Sequence, residues 1–170
     1  MRKNFIERIT YKETTRYLIW YNNDESGLLI QDKQLLMFAS INEAKSYAEK
    51  LEIELETEMD EYDLSRIPEL IKGIEFSENC FTLIGIWNLF SDIAKSLSEQ
   101  FLGDLNDWCI PGDGLVLDIN QMLFYGSNIK VMKHDEYHPV FDDEDFEVCM
   151  SVFNCGLAII DRQFALFDEK

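Results

Sequence analysis

The clearest pattern in this chain is a strict alternation of acidic residues with apolar or small residues, which begins after residue 50. From Leu51 to Asp60 every second position is Leu, Ile, Thr or Met, and every position between them is Glu or Asp. A period of two is typical of a β-strand with one packed and one solvent-facing side. A continuing helix is the alternative, because Glu and Leu are good helix formers, but it would spread the acids around its circumference. We therefore predict a strand whose outer face is a row of carboxylates.

A period of three to four residues marks two long segments farther along the chain. Apolar residues recur at spacings of four and three from Leu83 to Phe101, and again from Phe146 to Phe167. This spacing places one apolar stripe along each of two amphipathic helices. We predict the first helix from about Ser77 to Phe101. The second is a long terminal helix, preceded at its positive dipole end by four acids, Asp142, Asp143, Glu144 and Asp145.

Shorter apolar runs separated by polar turns fill the first third of the chain. Arg16–Tyr21 and Leu28–Gln31 flank a polar loop, and this pattern predicts a β-hairpin. A further strand is predicted at Leu35–Ala39. Ser40, with an acid three residues later, is a capping signal for a helix from about Ile41 to Lys50.

The order of these elements predicts the fold class. Between the long helices we expect a turn at Pro111–Gly114, a shorter helix ending near Tyr125 and one more short strand at Ile129–Met132. Strands thus gather in the first third and helices in the rest, which indicates an α+β fold with a small antiparallel sheet packed on a helical layer. With 170 residues and no linker-like segment, the chain is expected to form a single domain, 1–170.

The net charge of −18 arises entirely in the second part of the sequence. Residues 1–50 hold eight Lys or Arg against seven Asp or Glu, whereas residues 51–170 hold seven against twenty-six. With 46% hydrophobic residues the chain lies outside the composition of disordered acidic tails, so it should fold. An acidic surface attracts cationic partners and repels phosphate backbones, and direct nucleic-acid binding is therefore not expected.

Histidine and cysteine give weak indications of a site. His134 and His138 are four residues apart and could bind zinc with Cys149 or Cys155, but Pro139 and the surrounding acids indicate a loop, where this spacing has no ligand geometry. We expect surface histidines and no metal. Cys80, Cys149 and Cys155 are expected to be reduced thiols packed in apolar surroundings with a raised pKa, and Cys109 is the one cysteine predicted in a loop.

The sequence holds no motif that announces an enzyme. It contains no nucleophile elbow, no phosphate-binding loop and no dinucleotide fingerprint, so no catalytic residue and no cofactor is predicted. An unrecognised enzyme would need carboxylates that converge in a pocket with shifted pKa values. No run of about 18 apolar residues predicts a membrane span, and a cytoplasmic protein without a membrane partner is expected.

One helical stretch carries a resemblance to a known family. Leu83–Ser96, with its Trp-Asn-x-x-x-Asp core at residues 87–92, resembles the central helix of some bacterial immunity proteins of contact-dependent growth inhibition and related polymorphic toxin systems. The resemblance implies a small, acidic, non-enzymatic cytoplasmic protein that binds one secreted toxin domain, commonly a nuclease, and blocks its active site. We interpret Trp87, Asn88 and Asp92 as a fold signature, in which Asn88 and Asp92 bond each other or a neighbouring loop.

Charge and resemblance together lead to a predicted binding surface. A nuclease needs a basic cleft for its substrate phosphates, so an inhibitor can compete by presenting carboxylates there. Solvation alone is the ordinary explanation of a charge run, but five like charges without an interleaved Lys repel one another, and a cationic partner would relieve that repulsion. A nucleic-acid-mimicking adaptor for a basic housekeeping protein is the alternative. The predicted toxin-binding residues are Glu52, Glu54, Glu56, Glu58 and Asp60, with Asp142, Asp143, Glu144 and Asp145 as second choice.

Overall fold

A computed structural model describes residues 3–105, 114–127 and 138–168. The strands are β1 (Lys3–Tyr11), β2 (Thr14–Asn22), β3 (Ser26–Leu28), β4 (Ile30–Gln31), β5 (Gln34–Leu35) and β6 (Met59–Asp63). The α-helices are α1 (Ile41–Lys50), α2 (Ile67–Lys72), α3 (Ser77–Leu97), α4 (Gly114–Gly126) and α5 (Asp143–Asp168), with short 3₁₀ turns at Leu64–Arg66 and Leu102–Asp104. The predicted α+β class is confirmed.

The chain divides into two compact units. The sheet unit comprises Met1–Ser65, Asp92–Glu99 and Ile160–Lys170, and the helical unit comprises Arg66–Ser91 and Gln100–Ile159. The expected single domain stays a prediction.

The sheet unit is built on a four-stranded sheet in the order β3-β2-β1-β6. β1 and β2 form a long antiparallel hairpin, joined by Lys12 and Glu13, which both have positive φ angles of the kind that matches the twist of paired strands. β6 pairs with β1 in parallel, with Ile6 opposite Met59 and Thr10 opposite Asp63. The sheet is therefore mixed and not wholly antiparallel.

Both faces of the sheet are covered within this unit. Ile6 and Ile19 face α1 and pack with Phe38, Ala44 and Ala48 in one buried cluster. The opposite face meets the last residues of α3 and α5. There Leu28 donates its backbone N–H to Ser96 Oγ at 2.8 Å, and the ring of Tyr11 packs edge-on against Phe164. Strand β1 is thus central and packed on both sides.

The helical unit has an aromatic core. The rings of Trp87, Phe90, Phe101 and Phe153 pack edge to face, with centroids 5.9 to 6.3 Å apart. Gly156 of α5 allows a close approach here, since a Cβ atom at this position would lie 2.0 Å from Cδ2 of Phe90. The apolar stripe that predicted the two long helices therefore forms real packing contacts.

The structure corrects several predicted element boundaries. The predicted strand Leu51–Asp60 is wrong for residues 51–58, because only Met59 and Asp60 enter β6. Strand β1 was not predicted at all. The strand predicted at Leu35–Ala39 is reduced to Leu35, and Phe38 makes an isolated bridge to Tyr17.

The helix predictions are closer to the structure. The helix predicted to reach Phe101 ends at Leu97, where Ser98 takes a positive φ of 57°. α1, α4 and the long terminal helix are confirmed. The strand predicted at Ile129–Met132 and the turn residues 111–113 lie outside the described residues.

Candidate binding surface

Residues 52–60, called the acidic segment from here on, form an extended path beside β1 and not a strand along most of their length. The segment leaves α1 through Glu52, whose φ is 56°, and Ile53 donates its backbone N–H to Ala48 O at 2.9 Å. Two hydrogen bonds then tie it to Asn4: Glu56 N donates to Asn4 O at 2.8 Å, and Asn4 Nδ2 donates to Glu54 O at 3.0 Å. These contacts fix the backbone without regular strand pairing.

The predicted separation of packed and exposed positions persists although the predicted strand does not. Ile53, Leu55 and Met59 are half-buried and pack against the α1-facing cluster. Leu51, which is 54% exposed, and Thr57, which is also exposed, depart from the pattern. The five predicted acids, Glu52, Glu54, Glu56, Glu58 and Asp60, are all exposed.

Few cations neutralise the acidic segment. Within the described residues it forms one salt bridge, between Lys3 Nζ and Glu56 Oε1 at 3.6 Å, and both side chains are exposed. Three other basic residues of the sheet unit pair elsewhere: Arg8 with Glu61, Lys12 with Asp161, and Arg16 with Asp168. The segment therefore presents a concentrated negative charge to solvent.

A groove lies between the acidic segment and α1. Its volume is about 380 Å³. Ile6, Ala48 and Leu55 contribute to an apolar floor, and Glu49, Glu56 and Glu58 add carboxylates to its lining. One cation, Lys45, is among the lining residues, which are Ile6, Ile41, Lys45, Ala48, Glu49, Ile53, Leu55, Glu56, Thr57, Glu58 and Met59. Sequence reasoning identified the acids of residues 52–60 but missed Lys45 and Glu49, which lie one turn apart on α1.

The second-choice acids cap a helix. Asp142 Oδ1 accepts the backbone N–H of Asp145 at 2.9 Å, and Asp145 Oδ2 accepts the backbone N–H of Asp142 at 3.0 Å. This reciprocal arrangement is a capping box, which satisfies donors that the first turn of α5 would leave unpaired. Asp143 and Glu144 are exposed. Asp142 and Asp145 thus have a structural role at the start of α5.

The residues that carried the family resemblance are divided between packing and hydrogen bonding. Trp87 is buried and Asn88 is exposed. Asp92 Oδ2 accepts the indole N–H of Trp20 at 2.7 Å, and Asp92 Oδ1 accepts the hydroxyl of Ser26 at 2.8 Å. Asp92 therefore anchors the end of α3 to β2 and to the start of β3, whereas the sequence predicted a bond to Asn88 or to a neighbouring loop.

A buried carboxyl group, which the sequence did not indicate, lies on the other face of the sheet from the groove. Glu7 of β1 is 5% exposed, and its Oε2 has no hydrogen-bond partner. Burial, and then the negative charges of Asp60 and Asp92, raise the pKa of Glu7 from 4.5 to about 8. Burial, and then the neighbouring acids Glu7, Asp60 and Asp92, also raise the pKa of Tyr62. Asp60 consequently belongs to both the acidic segment and the surroundings of Glu7.

Cys80 and Cys149 have the properties that were predicted for core thiols. Cys80 and Cys149 are buried and free, and Cys155 is free and partly buried. Burial raises the pKa of Cys80 to about 11 and that of Cys149 to about 12. Such thiols are protonated at neutral pH and react slowly. Cys109 lies outside the described residues.

The structure offers little to a metal ion in its described part. His138 is exposed, and His134 lies outside the described residues. No group of three or more His, Cys, Asp and Glu side chains in residues 3–105, 114–127 and 138–168 is arranged to hold a metal. None of the helices in these ranges combines the length and the apolar character that crossing a membrane requires.

Comparison of the chain with protein-family models, with curated proteins and with solved structures finds no match.

Proposed function

We propose that this protein is an immunity protein, which binds a cognate secreted toxin domain and covers its basic substrate cleft with the acidic segment. The observation that carries the proposal is the row of exposed carboxylates at Glu52, Glu54, Glu56 and Glu58, of which one is paired with a cation in the described part of the chain. A nuclease is the favoured toxin class, because a cleft that binds phosphates must be basic.

Two physical features of the surface support this role. Concentrated charge of one sign speeds the encounter with an oppositely charged partner and discriminates against others. The acids also project from a backbone that is tied to β1 through Asn4, so less conformational freedom is lost on binding than for a disordered acidic tail. Recognition without catalysis is sufficient for such an inhibitor.

The experiment is co-purification of the full chain with the toxin domain encoded beside its gene, followed by an assay of nuclease activity. The triple variant Glu52→Lys, Glu54→Lys and Glu58→Lys should weaken the complex by about tenfold or more and release toxin activity. Asp60 is left unchanged because its charge also acts on buried Glu7.

A matched control changes the net charge equally at a distance in sequence from the acidic segment. Asp24→Lys, Glu25→Lys and Glu147→Lys alter three exposed acids and should leave affinity within about twofold. Unchanged binding by the first variant would remove the acidic segment from the interface. Failure to bind the neighbouring toxin at all, together with specific binding of a basic protein encoded elsewhere, would favour the nucleic-acid-mimicking adaptor.

A further inference from the structure

The lining of the groove between α1 and the acidic segment is apolar in one part and negatively charged in another. Ile6 and Ala48 are 4% and 1% exposed and form a preorganised apolar floor, while Glu49 and Glu58 are exposed. A purely apolar ligand would cover these carboxylates without pairing them, and an anion would be repelled. A small compact cation would leave the floor unused.

One class of side chain matches both parts of this lining. Lys and Arg carry a cationic head on an aliphatic stem, and they bury the stem along apolar surface while the head remains polar. Three carboxylates against one ammonium group, Lys45, give the lining a net negative charge that complements such a head. We propose that the groove binds a Lys or Arg side chain from an extended segment of the protein partner.

The dimensions of the groove agree with this occupant. A volume of about 380 Å³ accommodates a few side chains and not a whole helix. Glu49 and Glu58 make no salt bridge within the described residues, whereas Glu56 is paired with Lys3. Glu49 and Glu58 are therefore assigned to the cationic head, and Ile6, Leu55 and Met59 to the stem.

This inference rests on the proposed function for the identity of the partner, but its test does not need the toxin. The ¹⁵N-labelled full chain is titrated with a five-residue peptide that alternates leucine with arginine, and with the same peptide carrying glutamine in place of arginine. We expect amide shift changes concentrated in residues 41–49 and 53–59, and binding at least fivefold tighter for the arginine peptide.

Charge reversal then locates the cation. Glu49→Lys with Glu58→Lys should weaken binding of the arginine peptide at least fivefold. The matched control, Asp24→Lys with Glu25→Lys, changes the net charge equally at two exposed acids outside both the acidic segment and the groove lining, and should change affinity less than twofold. Salt well above the physiological range screens distant charges, so a difference that survives it reports direct contact.

A third variant tests the sign of the effect. Lys45→Gln removes the cation from the groove lining and should tighten binding of the arginine peptide two- to threefold. All five substituted residues are exposed, so loss of fold is not expected to confuse the result.

Three outcomes of the peptide titrations would overturn the inference. They are equal binding of the glutamine peptide, equal weakening by the two double variants, and shift changes spread over all acidic parts of the chain. The proposed function stands or falls separately. If the toxin binds the Glu49→Lys, Glu58→Lys protein normally, the groove proposal fails alone; if the peptide binds as expected but the toxin does not, the proposed function fails.

Discussion

The sheet unit places carboxylates in two opposite environments, on either side of strand β1. Glu54 and Glu58 of the acidic segment are exposed to water, whereas Glu7 is buried beneath the sheet with an unpaired oxygen. Water solvates the exposed charges at little cost, but burial favours the neutral acid and raises the Glu7 pKa to about 8. Carboxyl groups thus stay solvated on one side of β1, whereas on the other side ionisation of the carboxyl group costs folding free energy.

The largest effect is expected from Glu7→Gln, seen in the pH dependence of the free energy of unfolding. The Glu7 pKa is about 8 in the folded chain against an ordinary value of 4.5, so between these values the unfolded chain holds fewer protons and stability falls as pH rises. Below pH 4.5 the group is protonated in both states and contributes nothing. The full penalty, on the order of 5 kcal/mol, is reached above pH 8.

Urea unfolding of both proteins below pH 4.5 and above pH 8 measures this difference. The Gln variant should gain stability relative to the native chain as pH rises, because its side chain does not ionise. Glu54→Gln changes an exposed residue of the acidic segment, and its free energy of unfolding should depend on pH as that of the native chain does. If the free energy of unfolding of Glu7→Gln depends on pH in the same way as that of the native chain, Glu7 is not buried.

The next largest effect concerns the hydrogen bonds of Asp92. Asp92→Ala leaves the indole N–H of Trp20 and the hydroxyl of Ser26 without their acceptor. Hydrogen bonds to a charged group contribute about 1.5–3 kcal/mol each, but removing the Asp92 charge also relieves Glu7. We expect a net loss of about 2 kcal/mol in unfolding experiments, with a shift of the Trp20 indole signal in NMR spectra.

Asn88→Ala provides the control for this loss, since Asn88 lies one turn earlier on α3 and is exposed. It should change stability by less than about 0.5 kcal/mol. If both variants lose the same free energy, the helix itself and not the bond to Trp20 is responsible.

The helices were predictable from sequence because the residues that they bury recur with the helical period. Leu83, Trp87, Phe90 and Ala94 recur at helical spacing and are all buried. Strand β1 escaped prediction for the opposite reason. Its two faces are covered by different elements, so Ile6 and Glu7 are both buried and no simple alternation remains.

The candidate surface was predictable only in part. The exposure of the acids in residues 52–60 follows from their alternation with packed Ile53 and Leu55. The absence of a strand over residues 51–58 does not follow from the sequence, because it depends on which residues of β1 the segment can pair with. Strand β6 pairs only with Ile6–Thr10. The groove and the Glu7 surroundings depend on residues distant in sequence, such as Ile6 for the groove and Asp92 for Glu7, and no local pattern indicates such contacts.

A smaller effect on stability is expected from the second-choice acids at the start of α5, and it distinguishes them from the acidic segment. Asp142→Ala removes the side-chain acceptor for the Asp145 backbone N–H and should cost about 1 kcal/mol of stability. Asp142→Asn keeps a capping oxygen and should recover most of it. Asp143→Ala, a change at an exposed neighbour, should cost about 0.3 kcal/mol through the helix dipole alone. Thermal unfolding of the three variants compares them, and equal losses at residues 142 and 143 would contradict the capping role.

The smallest effect on stability is expected where the effect on binding is largest. Glu54→Gln with Glu58→Gln neutralises two exposed carboxylates that make no salt bridge within the described residues. Stability should change by less than about 0.5 kcal/mol. The sign should be a slight gain at low salt, because like charges repel, and the gain should vanish at about 1 M salt, where the screening length is short. Urea unfolding at both salt concentrations provides the measurement. A loss of stability larger than that of Asp142→Ala would mean that these carboxylates stabilise the fold. Carboxylates that the fold requires would be poor candidates for a surface that binds a partner.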